Sequence, residues 1–276
     1  MDADQNSSHA WRKLKELYPR DGWFSSVHLE ENKPRIWRMM GDLQRLLPPH
    51  AGAKVVDVGC YNGFLCYLAA QLGYQTAGID ALDLGKVPER TGVMASVNAP
   101  YHEANFNHLD PFHGLQTGQF DAAILGEVIE HICNHPVGLL AAIGQLLKPG
   151  GYLLLTTPNP RTLLNAYRLV SGGNFMWGET EFATVPKVDA SGRFTSCENI
   201  HYREYSQPVL LDMLRRAGFE VEVAAFMGIG AATGQHRMKR VVKALPGCRW
   251  LQSHQLFGMS HYVVARWAPP SAPAKH

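Results

Sequence analysis

The sequence predicts an α/β fold: a doubly wound, mostly parallel sheet of seven strands whose last strand is antiparallel. From residue 54 onwards, short apolar runs alternate with stretches of helical periodicity, the pattern of strands joined by crossover helices. The first apolar run leads directly into a glycine-containing turn, VVDVGCYNGFL at Val55–Leu65. A chain of 276 residues can bury one substantial core, so we expect a single domain.

Each element follows from its local pattern. Two amphipathic helices are expected before the sheet, at 9–18 and 34–47, the second because its apolar residues recur at threes and fours. Strands are then predicted near 54–58, 75–79, 101–105, 120–125, 152–157, 219–226 and 261–267. Helices are predicted at 63–72, 135–147 and 207–217, with a weak helix or a loop at 82–97.

The turn after the first strand has the features of a nucleoside site. Gly59 and Gly63 lack a Cβ, so their backbone can approach a ligand closely. Asp80 ends the next strand about 20 residues further on, where a carboxylate can bind both hydroxyls of a ribose. The spacing differs from the G-x-G-x-x-G of dinucleotide-binding loops, which disfavours a nicotinamide-dependent oxidoreductase.

Three further motifs follow in order: FDAAILGEVIEH from Phe120, LLKPGGYLLLTTPNP from Leu146, and HYREYS from His201 with LLDMLRRAGFEV after it. With the glycine turn, they resemble the Rossmann-like class I S-adenosylmethionine-dependent methyltransferases over about residues 50–225. The ending is similar to that of bacterial ubiquinone-pathway and polysaccharide or sugar O-methyltransferases. The resemblance implies S-adenosyl-L-methionine as the cofactor. One departure is Tyr61, which stands where the family has its middle glycine.

The resemblance also implies which residues contact the cofactor. Asp57, Gly59 and Gly63 would line its methionine and ribose end, and Asp80 would bind the ribose hydroxyls. The remaining expected contacts are Asn105 and Phe106 at the adenine, Glu127 after the fourth strand, and Tyr61, which either covers the cofactor or packs beside the loop. Outside the family, Asp57 and Asp80 would be read as a helix cap or turn acids.

The segment EVIEH is the candidate catalytic site. If it turns helical, Glu127, Glu130 and His131 share one face at the carboxyl end of the sheet. His131 is the expected general base, with Glu130 as its catalytic neighbour. A similar E-V-x-E-H carries a metal in ubiquinone-pathway O-methyltransferases and in small-RNA 3′-terminal 2′-O-methyltransferases, which makes Glu127, Glu130, His131 and His201 candidate ligands of Mg²⁺, Mn²⁺ or Zn²⁺. In metal-free relatives the same Glu hydrogen-bonds backbone and the His acts as a base or contacts substrate.

These motifs favour methylation of a small hydroxylated acceptor on oxygen. A sugar of a polysaccharide or secondary metabolite and a catechol-like quinone precursor are the two expected acceptors, and N- or C-methylation stays open. One alternative is a metal-dependent 2′-O-methyltransferase of an RNA 3′ end. Another is a non-catalytic, cofactor-binding partner subunit, suggested by the missing middle glycine.

Composition limits the expected partners and compartment, and the sequence pattern divides the chain into parts. A net charge of +2 does not require nucleic acid, and five unpatterned cysteines suit a reducing compartment, so we expect a cytoplasmic protein without a transmembrane segment. Its partner is a small molecule or a glycan; the oligomeric state is left open. The expected parts are N-terminal helices (1–50), a cofactor-binding half (51–170), a lid insertion (171–205), a C-terminal helix and strands (206–267) and a disordered tail (268–276).

Overall fold

A computed structural model describes residues 3–17, 26–49, 52–81, 88–172, 200–229 and 254–268. Its seven strands form one sheet in the order β3-β2-β1-β4-β5-β7-β6. The strands are β1 Lys54–Val58, β2 Gln75–Asp80, β3 Tyr101–Glu103, β4 Phe120–Gly126, β5 Leu147–Pro158, β6 Phe219–Ile229 and β7 Gly258–Trp267. The helices are α1 Ala3–Glu16, α2 Ser26–Leu46, α3 Phe64–Gln71, α4 Pro88–Ala95, α5 Pro136–Leu146, α6 Leu163–Val170 and α7 Gln207–Arg216, with a 3₁₀ turn at Ile129–His131.

The predicted fold class is confirmed. The pairs β1–β2, β1–β4, β2–β3 and β4–β5 are parallel, whereas β7 runs antiparallel to both β5 and β6. The strand order reverses between β1 and β4, so the connections leaving these two strands depart in opposite directions. Such a reversal opens a crevice at the carboxyl ends of the strands, which is where ligands bind in doubly wound sheets.

Several boundaries differ from the sequence-based prediction. α1 and α2 begin earlier than expected, and α2 continues through Pro34. β5 starts at Leu147, because this residue already pairs with Phe120 before the irregularity that follows. α6 was not predicted at all. Most of the expected lid insertion (173–199) and nearly all of the expected tail (269–276) lie outside the described residues.

Apolar side chains cover both faces of the sheet, because successive strand residues point to opposite sides. On β1, Val55 belongs to the cluster that contains α1, α2 and α3, while Val56 belongs to the cluster under α5 and α7. On β7, Tyr262 and Val263 divide in the same way. Among the helices in the described ranges, none is both long enough and apolar enough to span a bilayer.

A buried polar contact fixes α2 to β7. The fully buried Tyr262 hydroxyl donates to Asp42 Oδ2 at 2.9 Å, and Arg38 Nε donates to the same oxygen at 2.6 Å. Arg45 Nε reaches the other oxygen at 3.2 Å. Burial works to raise the pKa of Asp42, but the hydrogen bonds from Arg38 and Tyr262 outweigh it and hold the pKa below its ordinary value. Asp42 is therefore a satisfied structural acid.

Replacing Tyr262 with Phe tests this anchor. The variant removes a hydrogen bond to a charged, buried acceptor, so we expect it to lower the free energy of unfolding by about 2 kcal/mol in urea titrations. Tyr74→Phe is the matched control, because the buried Tyr74 hydroxyl donates to a neutral carbonyl, that of Leu47. Its loss should cost about 1 kcal/mol. Equal losses in the two variants would contradict a charge-assisted anchor.

Candidate active site

The turn after β1, here called the glycine turn (residues 59–63), is held against the end of β2. The backbone N–H groups of Gly59 and Cys60 both donate to the carbonyl of Ile79, at 2.7 and 3.1 Å. The backbone N–H of Tyr61 donates to Asp80 Oδ2 at 2.6 Å. Asp80 at the end of β2 and the backbone of the glycine turn thus form one hydrogen-bonded unit.

Left-handed backbone makes this turn possible. Gly59, Tyr61 and Gly63 have φ angles of 79°, 43° and 83°. A Cβ on Gly59 would lie 2.3 Å from Val128 Cγ2, so the turn also packs directly against the loop that follows β4. Tyr61 keeps the left-handed conformation despite its side chain, which costs free energy that glycine would not.

Asp57 lies beneath this turn and is unusually placed for an acid. It is 2 % exposed, and its Oδ1 has no hydrogen-bond partner within the described part of the chain. Burial, with a smaller contribution from the nearby Asp80 charge, raises the pKa of Asp57 to about 8. A buried carboxyl with one unpartnered oxygen favours a positively charged ligand, whose presence would lower the pKa again.

The expected adenine contacts lie in the loop after β3. The side-chain oxygen of Asn105 accepts the backbone N–H of Asn107 at 3.0 Å and so shapes a turn. Phe106 is buried against Phe112, with ring centroids 6.2 Å apart, and belongs to the hydrophobic core. The half-buried Asn105 is therefore the better placed of the two for a polar contact with a ligand.

Glu127 occupies a left-handed position at the end of β4, with φ of 57°. Its N–H continues the sheet by donating to the Thr156 carbonyl at 2.9 Å, and its carboxylate pairs with Arg35 of α2 at 2.7 Å. The helical turn begins only at Ile129, so the expectation that helical spacing aligns Glu127 with Glu130 and His131 was wrong. Arg35 also donates to Thr156 Oγ1 at 3.1 Å.

Glu130, His131 and His201, here called the histidine cluster, do come together. Thr157 Oγ1 donates to Glu130 Oε2 at 2.9 Å, and Glu130 Oε1 lies 4.0 Å from His131 Nε2. The rings of His131 and His201 are 5.0 Å apart between centroids. One potential ligand atom from each residue lies within 4.8 Å of the others. Within the described ranges, this group of possible ligands does not include Glu127.

Hydrogen bonds set the tautomers of both rings. His131 Nδ1 lies 2.7 Å from the Ile200 carbonyl, which can only accept, so Nδ1 carries the proton and Nε2 presents a lone pair. His201 Nδ1 lies 2.8 Å from Glu204 Oε1. A ring nitrogen held by a carbonyl or carboxylate in this way leaves the other nitrogen as a base or a metal ligand.

The protonation states follow from burial. Burial and the neighbouring His201 lower the pKa of His131 to about 4, although the Ile200 hydrogen bond acts in the opposite direction. The imidazole is therefore neutral near pH 7. Burial and the Glu127 charge raise the pKa of Glu130 well above its ordinary value. A cation beside Glu130 would stabilise its ionised form.

Comparison with known proteins agrees with this architecture. A family model described as a methyltransferase domain matches residues 31–223, well over half of the chain. The chain belongs to this methyltransferase family. It is 34 % identical over 174 residues to a ubiquinone biosynthesis O-methyltransferase of Xanthomonas oryzae pv. oryzae (strain PXO99A), covering 62 % of this chain and 64 % of the relative. The match thus spans slightly less than two thirds of the relative's length.

Solved structures share the fold. An S-adenosylmethionine-dependent methyltransferase from Mesorhizobium loti superposes with a TM-score of 0.50 at 22 % identity, covering 82 % of this chain and 96 % of that one. The 1,6-didemethyltoxoflavin-N1-methyltransferase of Burkholderia thailandensis, solved with 1,6-didemethyltoxoflavin and S-adenosylhomocysteine, gives 0.50 at 17 % identity, covering 97 % and 92 %. Membership in the methyltransferase family implies S-adenosylmethionine as the cofactor.

Sequence reasoning missed several groups of this methyltransferase site. Arg35 gave no signal, because 121 residues separate it from its Thr156 partner. Thr157 could have been found, since a threonine pair interrupts the apolar run of β5 just where the strand reaches the crevice. Glu204 lies within HYREYS, and its position three residues after His201 was a signal that the two side chains could pair.

Gly59→Ala tests the glycine turn of this methyltransferase. Gly52→Ala is the control, because Gly52 also has a positive φ, 89°, but has nothing within 4 Å of its would-be Cβ. We expect Gly52→Ala to lower the free energy of unfolding by about 1 kcal/mol through backbone strain alone. Gly59→Ala should cost about 2 kcal/mol more, because Val128 must move. Similar losses in the two variants, measured by urea unfolding, would contradict a tight contact at Val128.

Proposed function

We propose that this chain is an S-adenosylmethionine-dependent O-methyltransferase of a small hydroxylated acceptor, with a catechol-like ring favoured over a sugar. The observation that carries the proposal is the neutral His131, whose Nε2 lone pair lies beside a buried acid at the crevice between β1 and β4. A neutral imidazole can accept the proton of an attacking hydroxyl.

The residues around the glycine turn suit the cofactor. Asp57 would offer the unpartnered Oδ1 of its buried carboxyl to the cationic end, and Asp80, already fixed by the Tyr61 N–H, would bind the ribose hydroxyls. The buried Arg35 Nε, which has no hydrogen-bond partner among the described residues, provides a donor for the methionine carboxylate. When bound, S-adenosylmethionine supplies a methyl group on a positively charged sulfur, which is already activated toward nucleophilic attack.

The protein's own work is to position the acceptor and remove one proton. Ile200 holds the His131 ring in one orientation through Nδ1, so Nε2 is aimed without further rearrangement. Holding the attacking oxygen in line with the methyl group also lowers the activation free energy. The entropy cost of bringing the two reactants together is then met by binding and not in the chemical step.

A divalent ion at the histidine cluster belongs to the same proposal. The cluster combines two imidazoles with a carboxylate, a set that suits Zn²⁺ and is compatible with Mn²⁺ or Mg²⁺. Two observations support it: burial and the Glu127 charge raise the pKa of Glu130, which a cation beside it would offset, and the Glu204 carboxylate orients His201 as acids behind metal ligands do. Such an ion would lower the pKa of a bound hydroxyl and orient an adjacent one.

The acceptor class rests on the relatives. The aligned proteins are named as ubiquinone biosynthesis O-methyltransferases, and a catechol has the adjacent hydroxyls that a metal site can orient. The net charge of +2 gives no support for an RNA acceptor. The missing middle glycine is a weak argument for a non-catalytic subunit, because Tyr61 keeps the left-handed backbone and its N–H bond to Asp80. The five cysteines of the sequence follow no regular spacing, in keeping with the cytoplasmic location that we propose.

Asp80→Ala should weaken S-adenosylmethionine binding about tenfold or more, because hydrogen bonds to a charged group are lost. Calorimetric titration of the purified protein measures this. Asp80→Asn is the informative companion, since its amide oxygen can still accept the Tyr61 N–H while the charge is gone. We expect an intermediate affinity for Asp80→Asn. Unchanged affinity in Asp80→Ala would remove Asp80 from the cofactor site.

The metal is tested by dialysis against a chelator, followed by an assay of methyl transfer to a catechol such as 3,4-dihydroxybenzoate. Activity should disappear and return with Mg²⁺, Mn²⁺ or Zn²⁺, whereas His131→Ala should stay inactive when metal is added. His113→Ala is the control, because His113 pairs with Asp110 at an exposed site. Full activity in chelator together with an inactive His131→Ala would leave His131 as a plain general base without a metal.

A further inference from the structure

One buried side chain joins the loop after β3 to the loop after the histidine cluster. Asn107 is 3 % exposed, and its side-chain oxygen accepts the backbone N–H groups of Cys133 and Asn134, at 2.9 and 3.1 Å. The Cys133 thiol donates to the same oxygen at 3.3 Å. In return, Asn134 Nδ2 donates to the Asn107 carbonyl at 3.0 Å.

The two loops that Asn107 joins have different tasks in the proposed reaction. On one side, the Asn107 N–H donates to Asn105 Oδ1, so Asn107 is part of the turn expected beside the adenine. On the other side, Cys133 follows His131 by two residues, and the intervening Ile132 is buried. His131 is thus held from one direction by the Ile200 carbonyl and from the other by the chain that Asn107 fixes.

We propose that Asn107 is a positioning residue that couples occupancy of the adenosine side to the placement of His131. The inference rests on the proposed function, because it takes the turn at Asn105 as the adenine side of the cofactor site. A ligand that fixes Asn105 also fixes the backbone of Asn107, and the four hydrogen bonds pass that order to residues 133 and 134. Cofactor binding would then set the catalytic imidazole before the acceptor arrives.

Few side chains other than asparagine can make this connection. Its oxygen receives two consecutive backbone N–H groups, which an apolar residue would leave without an acceptor in a mostly buried place. Leaving buried donors unsatisfied is more damaging than losing the bonds themselves. Aspartate has the same shape and can still accept the N–H groups of Cys133 and Asn134. Asn107→Asp therefore changes the residue while keeping these hydrogen bonds, whereas Asn107→Leu removes them.

Hydrogen exchange read by mass spectrometry tests the coupling without an acceptor or turnover. The probes are S-adenosylhomocysteine and adenosine, and the readout is exchange in a peptide covering residues 131–135. In the unaltered protein we expect each probe to slow exchange there about five- to tenfold. In Asn107→Leu the slowing should vanish while calorimetry still detects S-adenosylhomocysteine, and in Asn107→Asp it should persist.

Two further variants separate coupling from plain stability. Asp121→Ala is the control: Asp121 also accepts a backbone N–H, that of Lys54, but at the amino ends of β1 and β4, away from the crevice. It should leave the probe-dependent slowing intact. Asn134→Ala removes one of the four bonds at a half-buried position, so it keeps the test open if Asn107→Leu fails to fold, and it should reduce the slowing.

The outcomes distinguish this inference from the proposed function. Equal slowing in the unaltered protein and in Asn107→Leu would overturn the coupling, as would unchanged slowing in Asn134→Ala if Asn107→Leu does not fold. Binding of S-adenosylhomocysteine with no slowing in the unaltered protein would also overturn it while leaving the cofactor assignment intact. Failure of the unaltered protein to bind S-adenosylhomocysteine would instead contradict the proposed function itself.

Discussion

The glycine turn depends on a single carbonyl at the end of β2. Ile79 accepts the N–H groups of both Gly59 and Cys60, and the next residue, Asp80, accepts that of Tyr61. The end of one strand therefore fixes the backbone that follows its neighbour. Because Val128 packs against Gly59, the position of this turn also limits where the chain can run after β4. The glycine turn and the loop after β4, which form the two sides of the proposed site, share this constraint.

Three buried acids among the described residues have opposite electrostatics. Asp42 has two arginines and a tyrosine hydroxyl as partners, and its pKa is lowered. Asp57 and Glu130 lie at the crevice with incomplete sets of partners, and burial raises the pKa of both. A buried acid without enough hydrogen-bond or charge partners destabilises the fold unless a ligand compensates it. A strongly raised pKa therefore indicates a candidate site for a cationic ligand. By this criterion Asp42 is structural, whereas Asp57 and Glu130 are candidates for contact with a cationic ligand.

Periodicity predicted the sheet well because strand and helix patterns depend on local burial. β1, β2 and β4 lie within a residue of their expected bounds. α6 escaped prediction because its burial is inverted: Asn165 points inward, whereas Tyr167 and Val170 are 69 % and 89 % exposed. An apolar pattern normally marks the buried face, so a helix that buries a polar residue and exposes apolar ones gives a misleading signal.

The sequence predicted which residues lie near one another in the histidine cluster, but not the backbone conformation that brings them together. Motif resemblance brought His131 and His201 together correctly, since a motif carries information about distant contacts that periodicity lacks. The prediction from helical spacing failed at Glu127. The N–H of this residue still bonds to the Thr156 carbonyl of the neighbouring strand, and its own backbone is left-handed rather than helical. Sequence spacing alone does not predict where a strand ends, because the end depends on hydrogen bonds to the neighbouring strand.

The return of the chain to the histidine cluster is fixed by the backbone of Glu130 rather than by its side chain. The Glu130 carbonyl accepts the N–H groups of Tyr202 and Arg203, at 2.8 and 3.3 Å, while the Ile200 carbonyl accepts from the His131 ring. These bonds flank His201 on both sides. Any substitution of the Glu130 side chain leaves the backbone bonds available, so the approach of His201 to His131 should outlast the loss of the carboxylate. The histidine pair is therefore built into the fold, and in the proposed metal site Glu130 would add the negative charge.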